Sequence, residues 1–95
     1  MSEPTGDPIH RLRAEDLVWR DEGGSILVLD QRAWVQFRLN DSAAGLWRAL
    51  ATGARSSALA AALVRDHHVE AGTAARDVSA FLTTLEGRDL LVSAA

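Results

Sequence analysis

Trp34-Val35-Gln36-Phe37-Arg38-Leu39, continued without a break by Asn40-Asp41-Ser42-Ala43-Ala44-Gly45-Leu46-Trp47, carries two periodicities in succession. In the first half Val35, Phe37 and Leu39 alternate with Trp34, Gln36 and Arg38, the period of two that marks a strand with one covered face. In the second half Ala43, Leu46, Trp47 and Leu50 fall at i, i+3, i+4 and i+7, the helical template. Asn40 or Asp41 stands at the switch, where a side-chain oxygen caps the first unpaired N–H groups of a helix.

Working outward, residues 16 to 39 read as strands and residues 41 to 87 as helices. Asp16-Leu17-Val18-Trp19-Arg20 is the first strand. Asp21-Glu22-Gly23-Gly24 is turn chemistry, since glycine supplies the positive φ that tight hairpins need. Ser25 to Leu29 is the second strand, Asp30-Gln31-Arg32-Ala33 a mostly polar connection, and Trp34 to Leu39 the third strand. Such short connections predict an antiparallel meander with open edges, of which the third strand is one candidate. Downstream, Gly53 ends the first helix. Ser56 or Ser57 caps a second, with Leu59, Ala60, Leu63 and Val64 as its apolar stripe, running out near His67-His68. A third helix begins around Ala71 to Ala74, repeats the template with Val78, Phe81, Leu82 and Leu85, and stops at Gly87. Leu90-Leu91-Val92 packs back on the core. The expected fold is α+β and winged-helix-like: a three-stranded antiparallel sheet followed by three helices. Residues 1–13, with two prolines, a glycine and no apolar period, read as a flexible N-terminal tail. Residues 14–95 form the domain.

The 95 residues fit one domain. A folded unit of about 80 residues leaves little room for both a core and a deep catalytic cleft. The absence of cysteine excludes disulfides, thiolate metal sites and cysteine nucleophiles, and fits a cytoplasmic location. The N-terminus has no signal-peptide pattern, and no apolar run reaches the roughly 18 residues of a membrane helix, so no membrane partner is expected.

Candidate chemistry is sparse. His67 and His68 lack the third and fourth ligands a metal site needs and suit a helix C-terminus instead. Glu15, Asp16, Asp21 and Glu22 cluster at strand ends and in a turn, where they stay solvated, unlike a catalytic carboxylate pair. There is no nucleophile elbow and no glycine-rich phosphate loop. The chain is therefore expected to have no enzymatic activity and no cofactor or metal. The winged-helix plan raises DNA binding as an alternative function. Against it stand a net charge of −3, the absence of lysine and ten scattered arginines, with Arg76 and Arg88 of the third-helix region offset by Asp77 and Glu86. A structural protein-interaction domain is the other alternative. Phe37 and Trp47 read as core aromatics. Trp34 falls on the opposite strand face, where an exposed aromatic beside an open edge suits a peptide.

Leu29-Asp30, Leu39-Asn40, Ala43-Ala44-Gly45-Leu46-Trp47, Leu59, Leu63 and Val64, then Arg76-Asp77-Val78 with Phe81-Leu82 and Leu85, and last Leu90-Leu91-Val92, together resemble the PqqD-like family over roughly residues 14 to 92. That family comprises the recognition elements of ribosomally made peptide natural products. The resemblance implies that the leader of a precursor peptide joins the third strand and lies against the third helix. It also implies delivery to a partner: a modifying enzyme, such as a radical-SAM protein or a cyclase, or a leader protease. Stand-alone members of this length are typical of lasso-peptide pathways, where the partner is a cysteine protease. Here Ala33-Trp34 stands where the family often has glycine or a small polar residue. On the third helix Ala74, Asp77 and Phe81 lie at i, i+3 and i+7 as a candidate groove wall. The expected peptide-binding residues are thus Trp34, Val35, Gln36, Phe37, Arg38, Ala74, Asp77, Val78 and Phe81.

Overall fold

The turn Glu22-Gly23-Gly24-Ser25 closes the first hairpin. Gly23 and Gly24 both take positive φ, 60° and 99°, the backbone that a two-residue hairpin turn matched to strand twist requires. The computed structural model describes residues 7–94. In chain order its elements are β1 (Ile9–Leu12), β2 (Leu17–Glu22), β3 (Ser25–Asp30), β4 (Val35–Leu39), α1 (Asp41–Thr52), β5 (Ala54–Arg55), α2 (Ser56–His67), α3 (Ala71–Gly87) and β6 (Leu91–Ala94). β2, β3 and β4 form the expected antiparallel meander, with Leu17 to Glu22 facing Asp30 to Ser25 and Ile26 to Asp30 facing Leu39 to Val35.

Alternation along β3 decides which sheet face is covered. Ile26, Val28 and Asp30 are buried, while Leu27 and Leu29 lie half-exposed on the other face. The buried face receives α1, entered through the predicted switch. Asn40 is the N-cap, its Oδ1 accepting the Ala43 N–H at 3.0 Å. α1 buries Ala44, Leu46, Trp47 and Leu50. Trp47 is fully buried, with Trp19 and Phe37 set edge-to-face against it at centroid distances of 6.3 and 6.2 Å. Truncating such a residue to alanine costs about 3–5 kcal/mol. Leu59 and Leu63 of α2, and Ala74, Val78, Leu82 and Leu85 of α3, complete the core. Gly53 ends α1 with φ of 104°, and a Cβ there would meet the Arg11 guanidinium at 2.7 Å.

Three expectations are corrected. The segment taken as a flexible tail is part of the fold from residue 7 onward, whereas residues 1–6 lie outside the described residues. β1 is the middle strand of a second antiparallel sheet, β5-β1-β6, with Ile9 paired to Ala94 and Leu12 to Leu91. Leu12 is buried there, and so are His10 and Arg13. The second correction concerns α2. Its N-cap is Arg55, without a side-chain hydrogen bond, and Ser57 in the first turn donates to Asp7 Oδ2 at 2.6 Å. Third, Trp34 is not in the strand. It ends the turn before β4 at φ of 58° and is 76% exposed.

Candidate functional site

Among the described residues β4 is an edge: it pairs with β3 on one side only. Its other side carries backbone N–H and C=O groups with no strand partner, a template for an added strand. Beside that edge the chain turns into α1, and α3 passes in front. The space between β4 and α3 is a groove in two joined parts. One part, of 360 Å³, is lined by Phe37, Arg38, Leu39, Asn40, Ala43, Phe81, Thr84, Leu85 and Arg88. The other, of 290 Å³, shares Asn40, Ala43 and Phe81 and adds Ser42, Leu46, Leu63, Val69, Asp77 and Ala80. Small side chains at Ala43 and Ala80 keep the floor open, while Phe81 stands half-buried where the two parts meet.

A larger hollow of 430 Å³, rich in hydroxyls, lies on the opposite side of α3 among His10, Ser56, Ser57, Ser79 and Thr83. Its strand wall is β1, which is paired on both sides, so it offers a peptide no backbone edge. The outer face of the meander holds a shallower apolar hollow of 220 Å³ around Val18, Leu27 and Leu29.

The expected residues divide into four groups. Phe37, Arg38, Asp77 and Phe81 line the groove, and Val35 and Gln36 belong to the edge strand. Trp34 sits at the hairpin tip and lines neither part of the groove. Ala74 and Val78 are corrected: both are essentially fully buried, facing the core rather than the groove. The helical wall extends instead toward the C-terminus, through Ala80, Thr84, Leu85 and Arg88. A stripe continued forward from Asp77 and Phe81 at i+3 and i+4 steps reaches Thr84 and Arg88, so that signal was present in the sequence. Leu63 and Val69 come from α2 and the link to α3, and no local pattern marks them as groove residues.

The groove is charged at both ends. The Arg88 guanidinium lies 5.0 Å above the centroid of the Phe37 ring. Arg38 is engaged elsewhere, donating to Glu22 Oε1 at 2.7 Å and to Ser25 Oγ at 3.1 Å. Arg38 and Arg20, by their hydrogen bonds, hold the Glu22 carboxyl below the usual carboxylate range. The Asp77 side chain makes no hydrogen bond or ion pair among the described residues. Two more of the clustered carboxylates are ion-paired on the surface, Asp21 to Arg48 and Asp16 to Arg32. Among the described residues no three metal-ligating side chains gather. No described helix is long and apolar enough to cross a membrane.

Among curated proteins none matches the chain by sequence. Two solved structures match it in fold. The complex of TbiB1 with the TbiA(beta) leader peptide superposes with a TM-score of 0.79 at 22% identity, covering 90% of this chain and 98% of the other. Lasso peptide synthetase B1 complexed with the leader peptide superposes with a TM-score of 0.75 at 28% identity, covering 87% and 96%. The α+β, winged-helix-like meander with three helices is therefore the fold of those proteins. The family model described as coenzyme PQQ synthesis protein D (PqqD) matches residues 25–91, from the start of β3 into β6, and so the chain belongs to the PqqD family.

Proposed function

We infer that this protein binds the leader segment of a ribosomally made precursor peptide and delivers it to a modifying enzyme or leader protease. The observation that carries the reading is the unpaired β4 edge lying along a groove walled by α3, in a fold whose solved neighbours are leader-peptide complexes. The leader adds as an extended strand to β4, its main chain hydrogen-bonding to the edge and its alternate side chains entering the groove. Main-chain pairing supplies affinity that tolerates many sequences, and the groove supplies selection. The protein itself is not catalytic: it works in the cytoplasm as a carrier without cofactor, and the chemistry belongs to its partner. That one of the two neighbours is a lasso peptide synthetase B1 supports a precursor of that class, and with it a leader protease as the partner.

Calorimetric titration with synthetic leader segments of lasso-type precursor peptides, run in parallel with duplex DNA, tests the reading. Saturable one-to-one binding of the peptide alone is expected. Saturable DNA binding with no heat from the peptide would overturn it in favour of a winged-helix regulator.

A further inference from the structure

Asp77, Phe81, Thr84 and Arg88 advance along α3 by four, three and four residues. At about 3.6 residues per turn, Arg88 returns to within roughly 20° of Asp77, so the four form one stripe. That stripe faces the groove, with Asp77 in one part and Arg88 in the other. Neither end charge forms an ion pair among the described residues. Elsewhere on this surface Arg20, Arg32, Arg38, Arg48 and Arg65 each hold a carboxylate. Arg88 rests instead on Phe37. A guanidinium can stack on a ring through its face while donating N–H bonds in its own plane, so the contact presents Arg88 to an incoming acceptor rather than consuming it.

The spacing of the two charges sets a ruler. Eleven residues at about 1.5 Å each separate them by roughly 16 Å. An extended peptide advances about 3.3 Å per residue, so that span is roughly five residues. Only alternate residues of a strand face the helix, which narrows the separation to about four or six. Resting on the peptide-binding reading above, we propose that the groove selects an extended peptide bearing an acidic side chain for Arg88 and a basic side chain for Asp77, about four or six residues apart. An apolar side chain between them sits on Phe81 and Ala43. The proposed direction continues the antiparallel alternation of the sheet. β2, β3 and β4 alternate, and a fourth antiparallel strand runs from the Leu39 end of β4 to the Val35 end. Asp77 lies in the part lined by Asn40 and Ser42, Arg88 in the part lined by Phe37 and Arg38, so the basic residue precedes the acidic one.

The test uses fluorescent synthetic peptides of one neutral, β-prone background, carrying arginine and glutamate at every separation and in both orders. Their affinities are measured by anisotropy for the wild-type protein, Arg88→Glu and Arg88→Lys, beside the leader segment. Circular dichroism melts confirm that the variants fold. The wild type is expected to prefer the basic-first pair at one of the two separations by about ten-fold over its reversed order. Arg88→Lys keeps that preference, and Arg88→Glu loses it and prefers arginine at the former acidic position. A wild type indifferent to separation and order, or an Arg88→Glu variant with unchanged preference, overturns the charge assignment while leader binding stands. Failure of every peptide, the leader included, removes both readings together.

Discussion

Arg13 Nη2 donates to Asp30 Oδ1 at 2.6 Å, joining the end of β1 to the end of β3 with both side chains buried. The arginine directs three of its other N–H groups to backbone carbonyls, those of Glu15 and Asp89 at 2.8 Å and Asp16 at 3.1 Å. The same aspartate oxygen accepts the Arg32 and Ala33 N–H groups at 3.0 and 3.2 Å, fixing the turn that leads into β4. One pair therefore ties the two sheets together and sets the position of the edge strand from behind. Asp30→Ala would leave a buried guanidinium without its carboxylate and free the turn, a loss of about 3–5 kcal/mol. Arg13→Met/Asp30→Ala should cost clearly less than the sum of the single changes. Urea denaturation of the four proteins checks this; additive losses would show that the pair is not coupled.

The same pair gives stability an acid limb. Burial alone pushes the Asp30 carboxyl up, but the Arg13 hydrogen bond and the Ala33 and Arg32 N–H groups outweigh it, and the net position is below an ordinary aspartate. A carboxyl lowered in the folded state contributes stability that is complete above its unfolded value of about 3.9 and fades as pH falls through the folded value. Asp7, Glu22 and Asp66 are lowered too, chiefly by hydrogen bonds from Ser57, Arg38 and Arg65, but they are solvent-screened and contribute little. Melting temperature should be level from neutrality down to about pH 4 and fall below it. Asp30→Asn, which carries no charge to lose, should flatten that fall, and an unaltered acid slope in this variant would assign it elsewhere.

Deletion of residues 1–13 is expected to abolish cooperative folding. It removes the middle strand of the β5-β1-β6 sheet together with buried His10, Leu12 and Arg13. β5 and β6 are then left without a strand partner, and Asp30 without its arginine. A truncated chain with an undiminished thermal transition would contradict this account of β1.

What was legible in the sequence was local. Gly23-Gly24 demanded a hairpin, and Asn40 marked a helix start through an oxygen three residues from the N–H it binds. β1 was not legible, because Ile9-His10-Arg11-Leu12 is too short to show a period and its partner strand begins at residue 91, almost a full chain length away. The groove was half legible. Asp77 and Phe81 lie on the groove flank as expected, but Ala74 lies some 60° further round than Asp77 at about 100° per residue, enough to turn it into the core. Arg88 reads in the sequence as one of ten scattered arginines, offset by its acidic neighbours, although it continues the same stripe.

Proline on the edge strand separates folding from binding. In an antiparallel ladder adjacent residues point their N–H groups to opposite sides, so of Gln36 and Phe37 one faces β3 and one faces the open edge. Proline at the first removes a ladder bond and should lower the melting temperature. Proline at the second removes a donor to the added strand and should weaken leader binding by about two- to ten-fold with little loss of stability. Calorimetry and melts on both variants check this. Full affinity in both would rule out strand addition on β4.

Asp77→Arg should weaken leader binding far more than it weakens folding. The side chain is exposed on α3, beside buried Val78 but outside the core, and makes no hydrogen bond or ion pair among the described residues that the change would break. Its effect on stability should be within about 0.5 kcal/mol. At the groove wall the change removes an acceptor, reverses the charge and adds bulk, and loss of a polar anchor of this kind costs on the order of 1–3 kcal/mol, or about five- to a hundred-fold in affinity. Phe81→Ala provides the contrast. Phe81 packs half-buried against the core while lining both parts of the groove, so its truncation should lower stability and affinity together. Titration of each variant with the leader, beside a thermal melt, separates the two patterns. A large fall in the melting temperature of Asp77→Arg with undiminished affinity would make Asp77 a structural residue and move the binding groove away from α3.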